Sequence, residues 1–163
     1  MPIPRYPFLL PIKGGIRIGG SGSRPWLWIR VTNPETGSAV QTLALIDTGA
    51  DSCAFPSEMA EKLGHKLNAG IPKSINTANR ETTAFAHRTK IEVLDVEENG
   101  YPGNRVLYDM PEQQIDYTCG LPAFLLGQSN FLSHFILKIN YPKEEFSIRF
   151  PQKSKPKKKI RRH

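Results

Sequence analysis

A carboxylate, a hydroxyl group and a glycine follow one another directly after an apolar stretch. Residues 43–46 form that stretch, and Asp47, Thr48 and Gly49 come next. An apolar run without alternation predicts a short buried strand, so Asp47 would stand at the rim of a core, where its charge needs a hydrogen bond or a partner. Gly49 allows a tight turn and close approach of another chain or a ligand, and the Thr48 hydroxyl can both donate and accept. The alternative interpretation is an ordinary turn after a strand, because Asp and Gly are common turn residues.

The sequence around this turn resembles the active-site signature of a known family. Residues 45–51 (Leu-Ile-Asp-Thr-Gly-Ala-Asp) resemble the retropepsin-like aspartic proteases, the family of retroviral proteases and their cellular relatives. That family also has an apolar-apolar-glycine element near the end of the domain, followed by a short helix. Residues 125–127 (Leu-Leu-Gly) match this element and residues 128–134 follow it. The resemblance covers roughly residues 25–150.

This resemblance implies an all-β fold, mainly β with one or two short helices: a retropepsin-like acid-protease half-barrel that is completed as a homodimer. Residues 1–24 would be a Gly- and Pro-rich N-terminal arm. Residues 6–12 of it would contact the dimer partner, since chain termini pair across the subunits of dimeric retropepsins. Residues 25–151 would be the protease domain, and residues 152–163 a basic tail. A chain of 163 residues is long enough for one domain with a real core.

Local patterns predict the elements of this domain. Dense Trp and β-branched residues indicate strands, and a helix with acids early and a glycine stop is indicated after the motif. The predicted elements are strands at 15–18, 26–32, 40–46, 53–55, 135–141 and 145–150, a helix at 56–64, a hairpin over 73–96, and loops with one strand over 99–116. The final hairpin makes the chain more similar to the DNA-damage-inducible and bacterial branches of the family than to retroviral proteases.

Peptide hydrolysis by aspartic chemistry needs two carboxyls that share one proton. One carboxyl activates a water molecule and the other polarises the scissile carbonyl, and at a few ångströms' separation the two cannot both ionise. The sequence contains no second Asp-Thr-Gly. A protease built from this chain would therefore be a symmetric homodimer, with Asp47 of each subunit meeting on the two-fold axis.

The resemblance assigns roles to the residues that match the family's motifs. Asp47 would be the catalytic carboxylate, Thr48 would bond to its counterpart across the interface, and Gly49 would let the backbone approach the substrate. Ala50 and Asp51 would line the cleft, and Asp51 would bind the substrate main chain.

The second motif would complete the cleft. Leu125 would wall a specificity pocket, and residues 126–127 would pack under the catalytic loop. Retroviral enzymes have an arginine directly after that glycine, which pairs with the acid that matches Asp51. Here the residue is Gln128, so an arginine of the N-terminal arm would have to supply the charge for Asp51.

The hairpin over residues 73–96 matches the position of the family's flap, which closes over the bound peptide. It is polar and rich in threonine, has no core to face and would project from the domain. Thr77, Ala78 and Asn79 at its turn would contact substrate. The family usually carries glycine near the flap tip, and residues 71–99 contain none. An ordinary edge hairpin is the alternative.

Other catalytic schemes find little support in the sequence. The four histidines show no metal-ligand spacing, so we expect no metal and no cofactor. Cys53 and Cys119 form neither a metal motif nor a disulfide framework, which favours a reduced, cytoplasmic setting. Cys53 is most simply a small buried residue. No apolar run is long enough to span a membrane.

The net charge of +7 belongs to the tail. Lys153 to Arg162 carry seven positive charges and no acid, so residues 1–152 are electrically balanced. Such a tail is most often disordered and solvated. The alternatives are a weak contact with nucleic acid or an acidic surface, or a nuclear address in a eukaryote.

Three functional hypotheses follow. The leading one is a homodimeric aspartic endopeptidase that cleaves extended polypeptides between apolar side chains, with the substrate bound as an added strand. The alternative is a catalytically weak or inactive dimer of the same fold that acts as a peptide- or protein-binding module. The third is a nucleic-acid-associated factor that acts through the tail.

Overall fold

The computed structural model describes residues 3–76 and 80–152, and these residues form a mainly β fold. They contain thirteen strands, one α-helix and two 3₁₀ turns. The strands are β1 (Tyr6–Pro7), β2 (Leu9–Ile12), β3 (Gly15–Ile18), β4 (Trp26–Thr32), β5 (Ala39–Ile46), β6 (Ala54–Pro56), β7 (Ile71–Asn76), β8 (Glu81–Val96), β9 (Pro102–Asp109), β10 (Gln113–Thr118), β11 (Phe124–Leu126), β12 (Ile136–Asn140) and β13 (Glu145–Arg149); helix α1 is Ser57–Lys62, and the 3₁₀ turns are Leu67–Ala69 and Leu132–His134. The expected all-β class is confirmed.

Six strands close into a barrel around the core. The main sheet runs in the order β10-β6-β11-β5-β4-β8-β7, and β10 also pairs with β8, which closes the six strands from β10 to β8 into a ring and leaves β7 outside it. β9 pairs with β8 outside this ring. Leu27, Ile29 and Val31 point inward from β4 and are fully buried, whereas Trp26 and Trp28 lie on the outer face because side chains alternate along a strand.

The hairpin that leads into the motif has the predicted boundaries. β4 spans the predicted residues 26–32, and β5 begins one residue before the predicted start at 40. The two strands pair from Trp26 opposite Leu45 to Thr32 opposite Ala39. The helix predicted at 56–64 is α1, and Gly64 follows it with φ +80°.

β8 is the longest of the described strands and pairs with four others. Its first half pairs with β7 and β10, and its second half pairs with β4 and β9. Every side chain of β7 except Ile75 is exposed, so the β7–β8 hairpin projects as expected. Its predicted tip residues, Thr77, Ala78 and Asn79, lie outside the described residues, as does the predicted tail at 153–163.

The prediction of loops with a single strand over residues 99–116 was wrong, because two strands form there. β9 pairs along β8 with register shifts near Val93 and Leu94. β10 closes the barrel, so Ile115, Asp116 and Tyr117 are all buried and show no alternation between a wet and a dry face. A strand buried on both faces lacks the period-2 pattern that a sequence can show.

The first and last strands form a second, three-stranded sheet in the order β1-β13-β12. Tyr6 pairs with Phe146 and stacks on its ring at 5.1 Å. Glu144 has a positive φ of +49°. Its carboxylate accepts a hydrogen bond from the Gly20 N–H, and its main-chain carbonyl accepts one from the Phe8 N–H. The N-terminal arm thus packs on its own chain, and its role as a dimer contact stays a prediction.

Candidate active site

The carboxylate of Asp47 stands where two parallel strands end side by side. β11 runs parallel to β5, with Leu125 beside Leu45 and Leu126 beside Ile46. The backbone N–H of Asp47 donates to the Leu126 carbonyl at 3.1 Å, which continues this pairing by one residue. Ile46 and Leu126 are buried, so the core anchors both strands directly beneath the acid.

The loop after β5 turns around the Asp47 side chain. The carboxylate oxygen Oδ1 accepts the Gly49 N–H at 3.0 Å, and the Asp47 carbonyl accepts the Ala50 N–H at 3.2 Å. Asp47 is half-buried, whereas Thr48 and Gly49 are exposed. The loop therefore presents a positioned carboxylate, with a hydroxyl residue and a glycine at the surface beside it.

The segment after β11 supports this loop from below. A Cβ on Gly127 would lie 2.3 Å from the carbonyl carbon and oxygen of Ser52, so only glycine fits at this crossing. The Gln128 N–H donates to the Ala50 carbonyl at 2.9 Å, and the Asn130 side-chain oxygen accepts the Cys53 N–H at 2.7 Å. The packing expected for residues 126–127 is present. The helix expected after them is only the 3₁₀ turn Leu132–His134.

Gln128 has a contact that sequence reasoning missed. Its side-chain Nε2 donates to the Thr48 carbonyl at 2.5 Å, across 80 residues of sequence. Asp51 is exposed and makes no ion pair with the described residues. A neutral amide thus supports the loop where retroviral enzymes have an arginine, and among the described residues Asp51 has no cationic partner.

A cavity of about 450 Å³ lies beside the two strands that end at the site. Leu45 and Leu125 line it, together with Trp26 and Ala123. Arg24, from the N-terminal arm, also lines it. Leu125 is therefore in the wall of a largely apolar hollow, opposite Leu45, which precedes Asp47 by two residues. Trp26 lines the cavity because it lies on the outer face of β4.

A buried histidine pair lies at the root of the β7–β8 hairpin. The rings of His65 and His87 stack with centroids 4.5 Å apart. Asn33 lies 3.4 Å from His65 Nδ1, and His87 Nε2 lies 3.0 Å from the Leu67 carbonyl. Burial, and next the neighbouring His87, lower the pKa of His65 below its usual value. This pair could not be predicted from the sequence, because its members come from separate elements.

The remaining candidate groups do not assemble into a further reactive site. Within residues 3–76 and 80–152, no group of three or more His, Cys, Asp or Glu side chains is arranged to hold a metal ion. Cys53 is buried as predicted, and burial raises the pKa of its thiol to about 12. Cys119 is exposed, and its sulfur accepts the Ser57 hydroxyl at 3.3 Å. None of the described helices is long and apolar enough to cross a membrane.

The closed barrel and the Asp-Thr-Gly loop resting on a glycine crossing are those of a retropepsin-like aspartic protease. A family model described as gag-polyprotein putative aspartyl protease matches residues 37–134, which is more than half of the chain. The chain therefore belongs to the family of gag-polyprotein putative aspartyl proteases.

The fold is similar to that of a solved structure. It is the crystal structure of a retropepsin-like aspartic protease from Rickettsia conorii, with a TM-score of 0.54 and 18% sequence identity. The match covers 91% of this chain and 92% of that chain. The expected retropepsin-like fold, of the bacterial type, is thus confirmed. No protein with a curated description matches the sequence.

Proposed function

We propose that the chain is an aspartic endopeptidase that acts as a homodimer. The observation that supports this best is the position of Asp47: a half-buried carboxylate at the ends of two parallel strands, held by main-chain hydrogen bonds and set beside an exposed Thr48 and Gly49. Preorganised groups of this kind are what catalysis requires, because they need no rearrangement during the reaction.

The proposal needs a second copy of the chain, because each chain supplies one carboxylate of the pair. The surface around Asp47 leaves space for that copy. Within residues 3–76 and 80–152, a Cβ on Gly49 would meet only Oδ1 of Asp47, at an ordinary 3.4 Å. In the dimer, Thr48 would bond to its counterpart and the two loops would stand together on the symmetry axis.

In the proposed mechanism the two Asp47 carboxyls share one proton. The ionised carboxyl removes a proton from a water molecule while the water oxygen attacks the scissile carbonyl carbon, and the protonated carboxyl donates to the carbonyl oxygen. As the C–N bond breaks, the carboxyl that received the water proton donates it to the leaving nitrogen. The other carboxylate takes a proton from a hydroxyl group of the tetrahedral intermediate, which becomes the product acid, so the pair is again singly protonated. Ala50 and Asp51 would hold the substrate main chain, and Thr77, Ala78 and Asn79 would cover it.

The cavity beside Leu45 and Leu125 supports an apolar side chain next to the scissile bond. Its lining is mostly aliphatic and aromatic, and burial of such a side chain contributes roughly 1.5–3 kcal/mol. Arg24 is the arginine of the arm at this cavity, and in the proposed dimer it offers the cation that Asp51 lacks within its own chain.

The test is a peptide-library cleavage assay on the wild type and on Asp47→Asn, with the oligomeric mass measured in the same buffer. The wild type should cleave at apolar sites as a dimer. The variant should lose at least about 10³-fold in kcat/KM and keep its mass, because the amide cannot take the proton from water. A wild-type dimer that binds peptides from the library and cleaves none of them would favour the alternative of a non-catalytic binding module.

A further inference from the structure

The outer face of the β4–β5 hairpin carries an aromatic surface that the catalytic proposal does not use. Trp28 lies on this face opposite Leu43, and Trp26 lies beside it opposite Leu45. Trp28 stacks on Tyr101 with ring centroids 6.3 Å apart. Its indole N–H donates to a main-chain carbonyl, that of Gly100, at 2.8 Å. The floor of the surface is therefore fixed by a hydrogen bond and a ring contact.

Two walls turn this face into a groove of about 690 Å³, which we call the tryptophan groove. The N-terminal hairpin β2–β3 forms one wall through Pro11 and Ile16. Helix α1 contributes Met59 to the other wall, next to Phe124. A volume of this size lies within the range of sites that bind small molecules or short peptide segments.

The tryptophan groove is continuous with the cavity beside the catalytic loop. Trp26, Pro11, Pro122 and Ala123 line both hollows. The cavity contains Leu45, two residues before Asp47, whereas the groove contains Leu43, the next residue of β5 on the same face. A chain that binds at Asp47 and continues past Trp26 would therefore enter the groove.

The lining of the groove selects for apolar segments. Glu58 is the one charged side chain among its lining residues. The others are mostly aromatic, aliphatic, proline and methionine side chains, which suit extended apolar polypeptide. Segments with several charges would lose their hydration there without finding a partner.

We propose that the tryptophan groove binds a second, apolar segment of the substrate polypeptide, several residues away from the scissile bond. This rests on the proposed endopeptidase function and deepens it. The groove makes cleavage depend on the sequence beyond the residues that touch the catalytic loop, and so selects among polypeptides that share the same scissile bond.

The first experiment measures binding without cleavage, in the Asp47→Asn chain. The probes are two capped octapeptides, one alternating leucine with threonine and one alternating serine with threonine. The two tryptophans of the sequence both line the groove, and Trp26 also lines the cavity beside Asp47. Their emission therefore reports binding in either hollow, and the variant below separates the two. The leucine peptide should shift the emission and bind at least about tenfold more tightly than the serine peptide.

Leu43→Gln is the test variant for this binding, because it places an amide on the floor of the groove outside the main core cluster. It should weaken the binding of the leucine peptide about tenfold. Tyr141→Gln is the matched control: Tyr141 is 68% exposed, lies in the turn of the terminal hairpin and does not line the groove. It should leave the dissociation constant unchanged. Thermal unfolding of both variants confirms that they are folded.

The second experiment measures cleavage by the wild-type chain, which keeps Asp47. A peptide selected from the library is extended at either end with alternating leucine or with alternating serine. The leucine extension should raise kcat/KM about tenfold, mainly through KM. Leu43→Gln should remove this advantage and cleave the unextended peptide as fast as the wild type does.

Each other outcome decides against the groove as a substrate site. Equal binding of both octapeptides, or an extension advantage that survives Leu43→Gln, would overturn it while cleavage of the short peptide upheld the endopeptidase. Absence of all cleavage, with binding intact, would overturn the catalytic proposal and with it the groove's role in cleavage. A change from dimer to monomer in Leu43→Gln would assign the groove to contact between copies.

Discussion

At the scale of single residues, the catalytic loop is held by main-chain bonds and by one distant side chain. Asp47 and Ala50 are linked within the loop, and Gln128 reaches the Thr48 carbonyl from the segment after β11. Where retroviral enzymes have the charged guanidinium of an arginine, this chain has a neutral amide that donates a hydrogen bond to the backbone. A neutral hydrogen bond therefore supports the loop here, so the salt concentration should have little effect on the order of the loop.

Gln128→Ala tests this contact. The Thr48 carbonyl would lose its amide partner, the loop would become less ordered, and kcat/KM should fall about tenfold, chiefly through kcat. The side chain is exposed, so the free energy of unfolding should fall by no more than about 1 kcal/mol. Steady-state kinetics and urea unfolding on the same samples measure both quantities. Ser133→Ala, which removes a side-chain bond within the neighbouring turn, is the control. Equal kcat in Gln128→Ala and the wild type would contradict the positioning role.

The stacked histidines make stability depend on pH. Burial, and next the neighbouring His87, lower the pKa of folded His65, with Glu35 acting in the opposite direction. The unfolded chain therefore binds a proton first as pH falls below about 6.5, and this favours unfolding. The loss of stability should begin there and level off once the pH passes below the folded pKa. Urea unfolding at pH 7, 6 and 5 should show a smaller decrease for His65→Gln than for the wild type. His134→Gln is the control, and its free energy of unfolding should depend on pH as that of the wild type does. If the free energy of unfolding of His65→Gln falls with pH as steeply as in the wild type, the histidine pair is not the cause.

At the scale of elements, the segment after β11 crosses under the Asp47 loop at one glycine, and the loop has another at its surface. Gly127 meets the Ser52 backbone, which cannot move aside. Among the described residues, Gly49 meets only the Asp47 carboxylate, at an ordinary distance, and its φ is not positive. The first glycine is required by the fold of one chain, whereas in the proposed enzyme the space at the second is used by the substrate or the partner chain.

Two alanine substitutions separate these roles. Gly127→Ala should destabilise the fold by more than about 3 kcal/mol or prevent folding, because a Cβ would overlap backbone. Gly49→Ala should fold with nearly unchanged stability and lose activity about 10²-fold, since its methyl group enters the space needed by substrate or partner. Chemical unfolding and peptide cleavage distinguish the two. An active Gly49→Ala enzyme would show that this space is not used.

The sequence predicted the elements whose patterns are local. The β4–β5 hairpin was predictable because Trp and β-branched residues are dense in β4 and residues 33–37 carry a turn signal, and the Asp47 loop because a motif marks it. β10 was missed since barrel closure buries both of its faces. The resemblance implied a pocket beside Leu125, but the Gln128 contact and the histidine pair were not predictable, because they join residues from separate elements that only the strand order brings together.

At the scale of the whole molecule, one barrel presents one Asp-Thr-Gly carboxylate, that of Asp47. In the proposed enzyme, activity belongs to a pair of chains, and each pair needs both acids. A chain that carries Asp47→Asn should therefore inactivate any wild-type chain with which it associates.

Mixing experiments test this directly. Equal amounts of wild type and Asp47→Asn, unfolded together and refolded, should retain about one quarter of the activity of the same total amount of wild type, because random pairing makes that fraction of active dimers. Independent monomers would retain about one half. The unmixed proteins, taken through the same refolding, are the control, and oligomeric mass confirms that chains exchange.

The pairing of Tyr6 with Phe146 has a consequence for the order of synthesis. A ribosome releases the amino end first, so the sheet that receives Tyr6 is not complete until Glu145–Arg149 has left the exit tunnel. Until those residues have been synthesised, Tyr6 and Phe8 lack the ring of Phe146 as a packing partner.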